Sequence, residues 1–121
     1  KAFAGVSAAD ADQMLANYTE DLVLEMPYAD GKKVYEGREK IRAFLKVAFQ
    51  SLQFRLEITA VHETTDPEMA VVEYISEGLA VPTGRRYANV YVGVYWFRDG
   101  QICRVKEFFD PQLTAAALTP D

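Results

Sequence analysis

Cysteine is nearly missing from this chain: Cys103 is the single one, and histidine too occurs once, as His62. One thiol forms no internal disulfide, and one thiol with one imidazole is no zinc set, so the sequence offers no metal site and permits a reducing compartment. A cytoplasmic location is the expectation. Basic residues are also scarce, with 13 Lys and Arg against 18 Asp and Glu and a net charge of -5. A surface that tracks phosphates needs the opposite balance, and Lys32-Lys33 and Arg85-Arg86 are the only basic doublets, so nucleic acid is not an expected partner. No apolar run reaches the ~18 residues of a membrane span, and no basic stretch followed by an apolar core opens the chain. Membrane and secretory readings are therefore not expected.

What is present is a chain of 121 residues, half of them hydrophobic, with seven tyrosines and seven phenylalanines. That is enough for one domain, 1–121, with one core and no need of disulfides or metal. Phe3 and Val6 look like the tail of a helix whose start is missing. Ser7 and Asp10 give a capping signature, and Ala11, Met14, Leu15 and Tyr18 follow helical spacing, which predicts a helix ending near Asp21. A short strand is expected over 22–26, stopped by Pro27, and a loop over 28–37. From Arg38 to about Leu52, the apolar stripe Ile41, Phe44, Leu45, Ala48, Phe49 and Leu52 predicts a helix lying on something apolar.

The pattern then changes to period two. Strands are expected over 54–62, 69–80, 86–98 and 101–109, with turns at Asp66-Pro67, Pro82-Thr83-Gly84 and Asp99-Gly100. Asp110 before Pro111 opens a terminal helix as its cap. Helices early and antiparallel strands late predict an α+β fold: a curved, conical antiparallel sheet wrapped around helices.

In the last strand Arg104 and Lys106 fall on one side, and Cys103, Val105, Glu107 and Phe109 on the other. A carboxylate among apolar neighbours either pairs with a partner or lines a ligand cavity, where desolvation raises its pKa and makes it a usable proton donor or acceptor. Glu107 is the candidate catalytic residue. Tyr74, Tyr91 and Tyr95 lie on strands expected to face the same space, with Asn89 and Gly93 in the parity of Tyr91 and Tyr95; Ser76, Phe109, Glu25 and Met26 complete the candidate substrate-binding set. Each tyrosine could offer a hydroxyl to an oxyanion or serve as packing with a hydrogen bond at the rim. Glu73 and Glu77 fall on the opposite face, and Cys103 reads as small core filler. The other parity of the strand over 86–98, Val90, Val92, Val94 and Trp96, is apolar as well, so both of its faces are expected to be covered, one by the cavity and one by a second copy of the chain.

The segments YTEDLVLEMP at 18–27, YEGRE at 35–39, PTGRRY at 82–87 and FRDGQICRVKEFFDP at 97–111 together resemble the nuclear-transport-factor-2-like superfamily, and within it the SnoaL-like and ketosteroid-isomerase-related proteins. The resemblance spans nearly the whole chain. It implies a conical roll with a deep apolar pocket open to a small apolar ligand, and homodimerisation through the outer sheet face. The general base of steroid isomerases would fall on Met26 and their oxyanion pair on Ala2 and Gly93, so that mechanism is not implied. The aspartate, arginine and aspartate of limonene-epoxide-hydrolase-like enzymes would fall on Tyr74, Ser76 and Glu107, of which only the last is acidic. The acidic residue of polyketide cyclases and phenazine-biosynthesis A/B proteins falls on Glu107 too. The expectation is cofactor-free acid/base chemistry on a small apolar carbonyl compound, of isomerase, cyclase or hydrolase type. A non-catalytic small-molecule binding module and a protein-interaction domain remain the alternatives.

Overall fold

The computed structural model describes residues 15–29 and 32–120. The positions of Phe3, Val6, the Ser7 cap, Ala2, Ala11 and Met14 lie outside the described residues. Strands β1 (Tyr18–Met26), β2 (Lys33–Glu36), β3 (Leu52–Glu63), β4 (Met69–Ala80), β5 (Arg86–Arg98) and β6 (Gln101–Phe109) form one curved, unclosed sheet in the order β2-β1-β6-β5-β4-β3. Every neighbour pair is antiparallel except β1 with β6, which run parallel. Helix α1 (Arg38–Ser51) lies between β2 and β3, and α2 (Pro111–Leu118) follows β6.

Two expectations about the first third of the chain are corrected. The strand expected at 22–26 begins at Tyr18, so no helix reaches Asp21, and β2 forms inside the stretch expected to be loop. Helical spacing among Leu15, Tyr18 and Leu22 is also compatible with a strand whose register is irregular. That irregularity is present, between Tyr18 and Val23 in the pairing of β1 with β6. β2 is short and mostly exposed, so it has no apolar alternation to announce it; its residues pair antiparallel with β1, Lys33 opposite Met26.

The remaining elements match the periodicity. In β5, Tyr87, Asn89, Tyr91, Gly93 and Tyr95 are all buried, while Val90 and Val92 between them are exposed. The strand is thus buried on one face only within a single chain. Asp99 (φ 54°) and Gly100 (φ 79°) both take left-handed backbone, as the primed two-residue turn joining twisted strands demands. Asp110 accepts a hydrogen bond from Gln112 N and caps α2, with Pro111 at its first position.

Helix α1 lays Ile41, Leu45 and Phe49 against the inner sheet face, where they join Leu15, Leu22, Tyr74 and Val105 in the main core. Each such aliphatic or aromatic side chain contributes roughly 1.5–3 kcal/mol by leaving water. A smaller cluster of Ala80, Tyr87 and Ala117 seats α2 over the far end of the sheet. Register shifts interrupt β3–β4 between Ile58 and Ala60 and β5–β6 between Trp96 and Phe97, and such extra residues bend a sheet. The curved sheet and the two helices leave a space between them. Among the described residues no helix is long and apolar enough to cross a membrane.

Candidate active site

The space enclosed by the sheet, α1 and α2 is a cavity of about 510 Å³, within the range of small-molecule sites. Most of its wall is apolar: Leu22, Leu24 and Met26 from β1, Ile41, Leu45 and Phe49 from α1, and Phe109 from β6. Glu107 lies on that wall. The pleat of β6 puts it there, two residues from buried Val105 and two from Phe109, directly across from Gly93 of β5.

The Glu107 carboxylate has one hydrogen-bond partner among the described residues, the Tyr74 hydroxyl, which donates to Oε2. Oε1 has none. Glu107 keeps some accessible surface, and because it lines the cavity that surface is cavity surface rather than exterior. Burial pushes its pKa above the ordinary glutamate value of 4.5, and the bond from Tyr74 only partly offsets this. The Tyr74 and Tyr95 hydroxyls are 3.0 Å apart, which extends the chain to Tyr95, Tyr74 and Glu107.

Gly93 makes this arrangement possible. A Cβ at that position would stand 2.5 Å from Tyr95 Cε1 and 2.9 Å from the Tyr74 hydroxyl, so only a residue without a side chain lets both rings converge beside Glu107. Tyr74 also stacks on Tyr91, with ring centroids 5.0 Å apart. Tyr74, Tyr91 and Tyr95 all have their pKa raised, first by burial, and each is raised further by the Glu107 charge.

A second polar chain runs through the same wall. Asn89 Nδ2 donates to the Tyr87 hydroxyl at 3.0 Å, the Tyr87 and Tyr91 hydroxyls are 2.8 Å apart, and Tyr91 donates to Ser76 Oγ at 3.0 Å. Asn89 also donates to Asp110 O at 2.9 Å, and its Oδ1 accepts from Val90 N and Asp110 N. Its amide therefore ties the corner between β6 and α2 to β5.

The sequence-derived candidates separate on this geometry. Glu107, Tyr91, Tyr95, Phe109 and Met26 line the cavity. Tyr74, Ser76 and Asn89 are buried one layer behind it, and the amide of Asn89 and the hydroxyl of Tyr74 are committed to protein partners. Glu25 is a correction. It alternates with Leu24 and Met26 and so turns to the outer face, where its Oε2 is 3.1 Å from Lys32 Nζ and its Oε1 3.4 Å from Arg104 Nη2. The hydrogen bond from Lys32, together with the nearby cations, holds its pKa below the usual glutamate range. Cys103 is a second correction. The register shift in β5–β6 leaves it as the additional residue, so Ile102 packs on the core instead and the Cys103 thiol contacts Trp96 O at 3.5 Å. Glu77 bonds Arg86 and Glu73 bonds His62 at 2.5 Å on the outer face, as their parity predicts.

Sequence reasoning missed Tyr18, which is 3% exposed and lines the cavity. The signal was the alternation Tyr18, Leu22, Leu24, Met26, broken at Glu20 and hidden behind a helix-like spacing.

Known proteins share this architecture. The chain is 37% identical over 98 residues to an uncharacterised PhzA/B-like protein of Pseudomonas aeruginosa, covering 79% of this chain and 70% of that one. A solved Bacillus subtilis protein provisionally named an isomerase superposes with a TM-score of 0.89 at 24% identity, covering 96% and 86% of the two chains. A phenazine-biosynthesis-related protein of Pseudomonas aeruginosa superposes with a TM-score of 0.76 at 22% identity, covering 92% and 76%. Solved proteins of nuclear-transport-factor-2-like and ketosteroid-isomerase-like fold share the same sheet and helices. The family model for the SnoaL-like domain matches residues 1–105, which include the whole of β1 to β5 and the first part of β6, and the chain belongs to the SnoaL-like domain family.

Proposed function

We propose that this protein is a SnoaL-like enzyme that performs acid/base chemistry, without a cofactor, on a small, mostly apolar carbonyl compound. The observation that carries the reading is Glu107: a carboxylate on an apolar cavity wall, held by Tyr74 through one oxygen and unpartnered among the described residues at the other. An elevated pKa makes the ionised form a stronger base, and the enclosing wall excludes competing water. In the proposed step Glu107 Oε1 takes a proton from the carbon next to the carbonyl. The C–H electron pair becomes part of a C=C bond, the carbonyl π pair moves to oxygen, and the carboxylic acid then returns the proton to the same or a conjugated carbon. The solved neighbour provisionally named an isomerase is in keeping with chemistry of this general kind.

Exchange of the methyl protons of acetophenone in D2O, followed by NMR, tests this. Wild type should exceed the buffer rate and Glu107→Gln should lose most of the excess while remaining folded. Equal rates in the two proteins would refute the mechanism. The cavity also suits a binding module, which would bind the ketone and return it unexchanged, with equal affinity in wild type and Glu107→Gln. A purely protein-interacting domain calls for a filled interior, and the cavity weighs against it.

We also propose a second copy of the chain as occupant of the outer sheet face. Ile75, Val90 and Val92 are exposed there on adjacent strands, flanked by the Glu77–Arg86 and Glu73–His62 pairs, so the face presents both charge signs around an apolar centre. Light scattering at micromolar concentration should give a dimer, and a monomer would contradict this assignment.

A further inference from the structure

The hydroxyls around the cavity can be followed proton by proton. Tyr74 donates to Glu107, so the proton shared between Tyr95 and Tyr74 comes from Tyr95. Tyr91 donates to Ser76, so the proton shared between Tyr87 and Tyr91 comes from Tyr87, whose oxygen receives Asn89 Nδ2. Each of these hydroxyl protons is committed to another protein atom.

Tyr18 differs. It is as buried as the others, stands on the same wall, and its hydroxyl has no hydrogen-bond partner among the described residues. Among the described residues its oxygen is not one of the fully buried atoms that lack a partner, so it keeps surface on the cavity side, and an uncommitted donor on a cavity wall points to a partner that the cavity holds. Burial is the main cause of its raised pKa and the Glu107 charge is the next, so the two groups lie within electrostatic reach of one another; Tyr95 in turn is raised by Tyr18 as well as by burial.

We propose that Tyr18 is the residue that donates a hydrogen bond to the substrate's carbonyl oxygen, and that the ligand class is a neutral enolisable ketone bound with its oxygen at Tyr18 and its adjacent carbon at Glu107. This rests on the acid/base reading of Glu107 and puts Tyr18 in place of Tyr74, Tyr91 and Tyr95 as the hydroxyl offered to the oxyanion. Negative charge gathers on the oxygen as Glu107 removes the proton, and a donor aimed at that oxygen from a dry wall stabilises the enolate more than the ketone. Tyr18 is suited to this because its proton is not already given to a protein acceptor. A ligand with a carboxylate in place of the ketone would set a second negative charge beside Glu107.

Acetophenone labelled with ¹³C at the carbonyl tests the assignment by isotope-edited infrared spectroscopy, with methyl-proton exchange measured on the same samples. In wild type the bound carbonyl stretch should fall below its frequency in hexane. Tyr18→Phe should restore the hexane frequency and slow exchange about 10²–10³-fold, the usual effect of losing one oxyanion donor, whereas Tyr95→Phe should keep the shifted stretch. Tyr18→Phe removes a hydroxyl that bonds no described residue, so its thermal midpoint should not fall. An unshifted stretch in wild type, an equal shift in Tyr18→Phe, or no saturable ketone binding would each overturn the assignment. Exchange that depends on Glu107 but not on Tyr18 would sink Tyr18 alone. A stretch that depends on Tyr18, with no exchange above buffer, would keep Tyr18 as a carbonyl-binding residue and refute the acid/base reading instead.

Discussion

Glu25 and Glu107 stand on paired strands of one sheet, and Glu25 is directly beside Lys106, the residue before Glu107. The pleat sends them to opposite faces, and nearly everything else about them follows from that. Glu25 meets Lys32 and Arg104, and Arg104 also lies over the Trp96 ring at 5.2 Å; cations and hydrogen bonds keep its carboxyl easily ionised. Glu107 meets Tyr74 and an apolar cavity, and burial makes its carboxyl hard to ionise. The outer carboxylate is stabilised in one state, as a structural ion should be. The inner one is poised to change state, which is what moving a proton requires.

The largest test of this contrast is catalytic. Glu107→Gln should lower ketone proton exchange about 10²–10⁴-fold, the usual contribution of a positioned acid or base, while Glu25→Gln should leave it near wild type. A similar loss in both would dissolve the distinction.

Next comes the packing that aims Glu107's partner. Gly93→Ala drives a methyl group into Tyr95 and Tyr74 and should destabilise by about 1–3 kcal/mol in chemical denaturation, as overpacking does. It should also displace the Tyr74 hydroxyl and raise the Glu107 pKa further, since that hydrogen bond is what lowers it.

The pH dependence of stability should separate the two glutamates by sign. Glu107 has a folded pKa above its ordinary 4.5, so its favourable contribution is complete below 4.5 and is lost as pH rises through the raised value. Glu25 has a folded pKa below 4.5, so its contribution is present above 4.5 and is lost as pH falls through the lowered value. Thermal midpoints across pH should therefore show Glu107→Gln gaining on wild type toward neutrality. The smallest effect is that of Glu25→Gln, whose exposed partners screen it and whose difference from wild type should shrink as the pH is lowered.

The sequence made the inner face of β6 legible because strict alternation over 104–109 leaves one orientation for Glu107 once Val105 and Phe109 are placed inside. The same rule misplaced Cys103, since a register shift one turn of the pleat away changes parity and leaves no mark in composition. It placed Asn89 inward correctly but could not show that its amide is consumed at the β6–α2 corner, a contact that depends on where Asp110 ends up. Glu25 was misread although the expected strand over 22–26 already set it opposite in parity to Leu24 and Met26; the cations that hold it outside, Lys32 and Arg104, come from other segments that local periodicity does not bring together. Tyr18 was lost because its helical spacing to Leu15 and Leu22 concealed a strand whose pairing is irregular.

The central claim concerns one carboxyl group, and a carbon-detected NMR titration reads it directly, with Glu107→Gln and Glu25→Gln assigning the two signals. The account predicts that Glu107 titrates clearly above 4.5 and Glu25 below it, in the same spectra. A Glu107 that titrates at or below 4.5 would mean a solvated or ion-paired carboxylate, and would contradict its role as the proton carrier of this cavity.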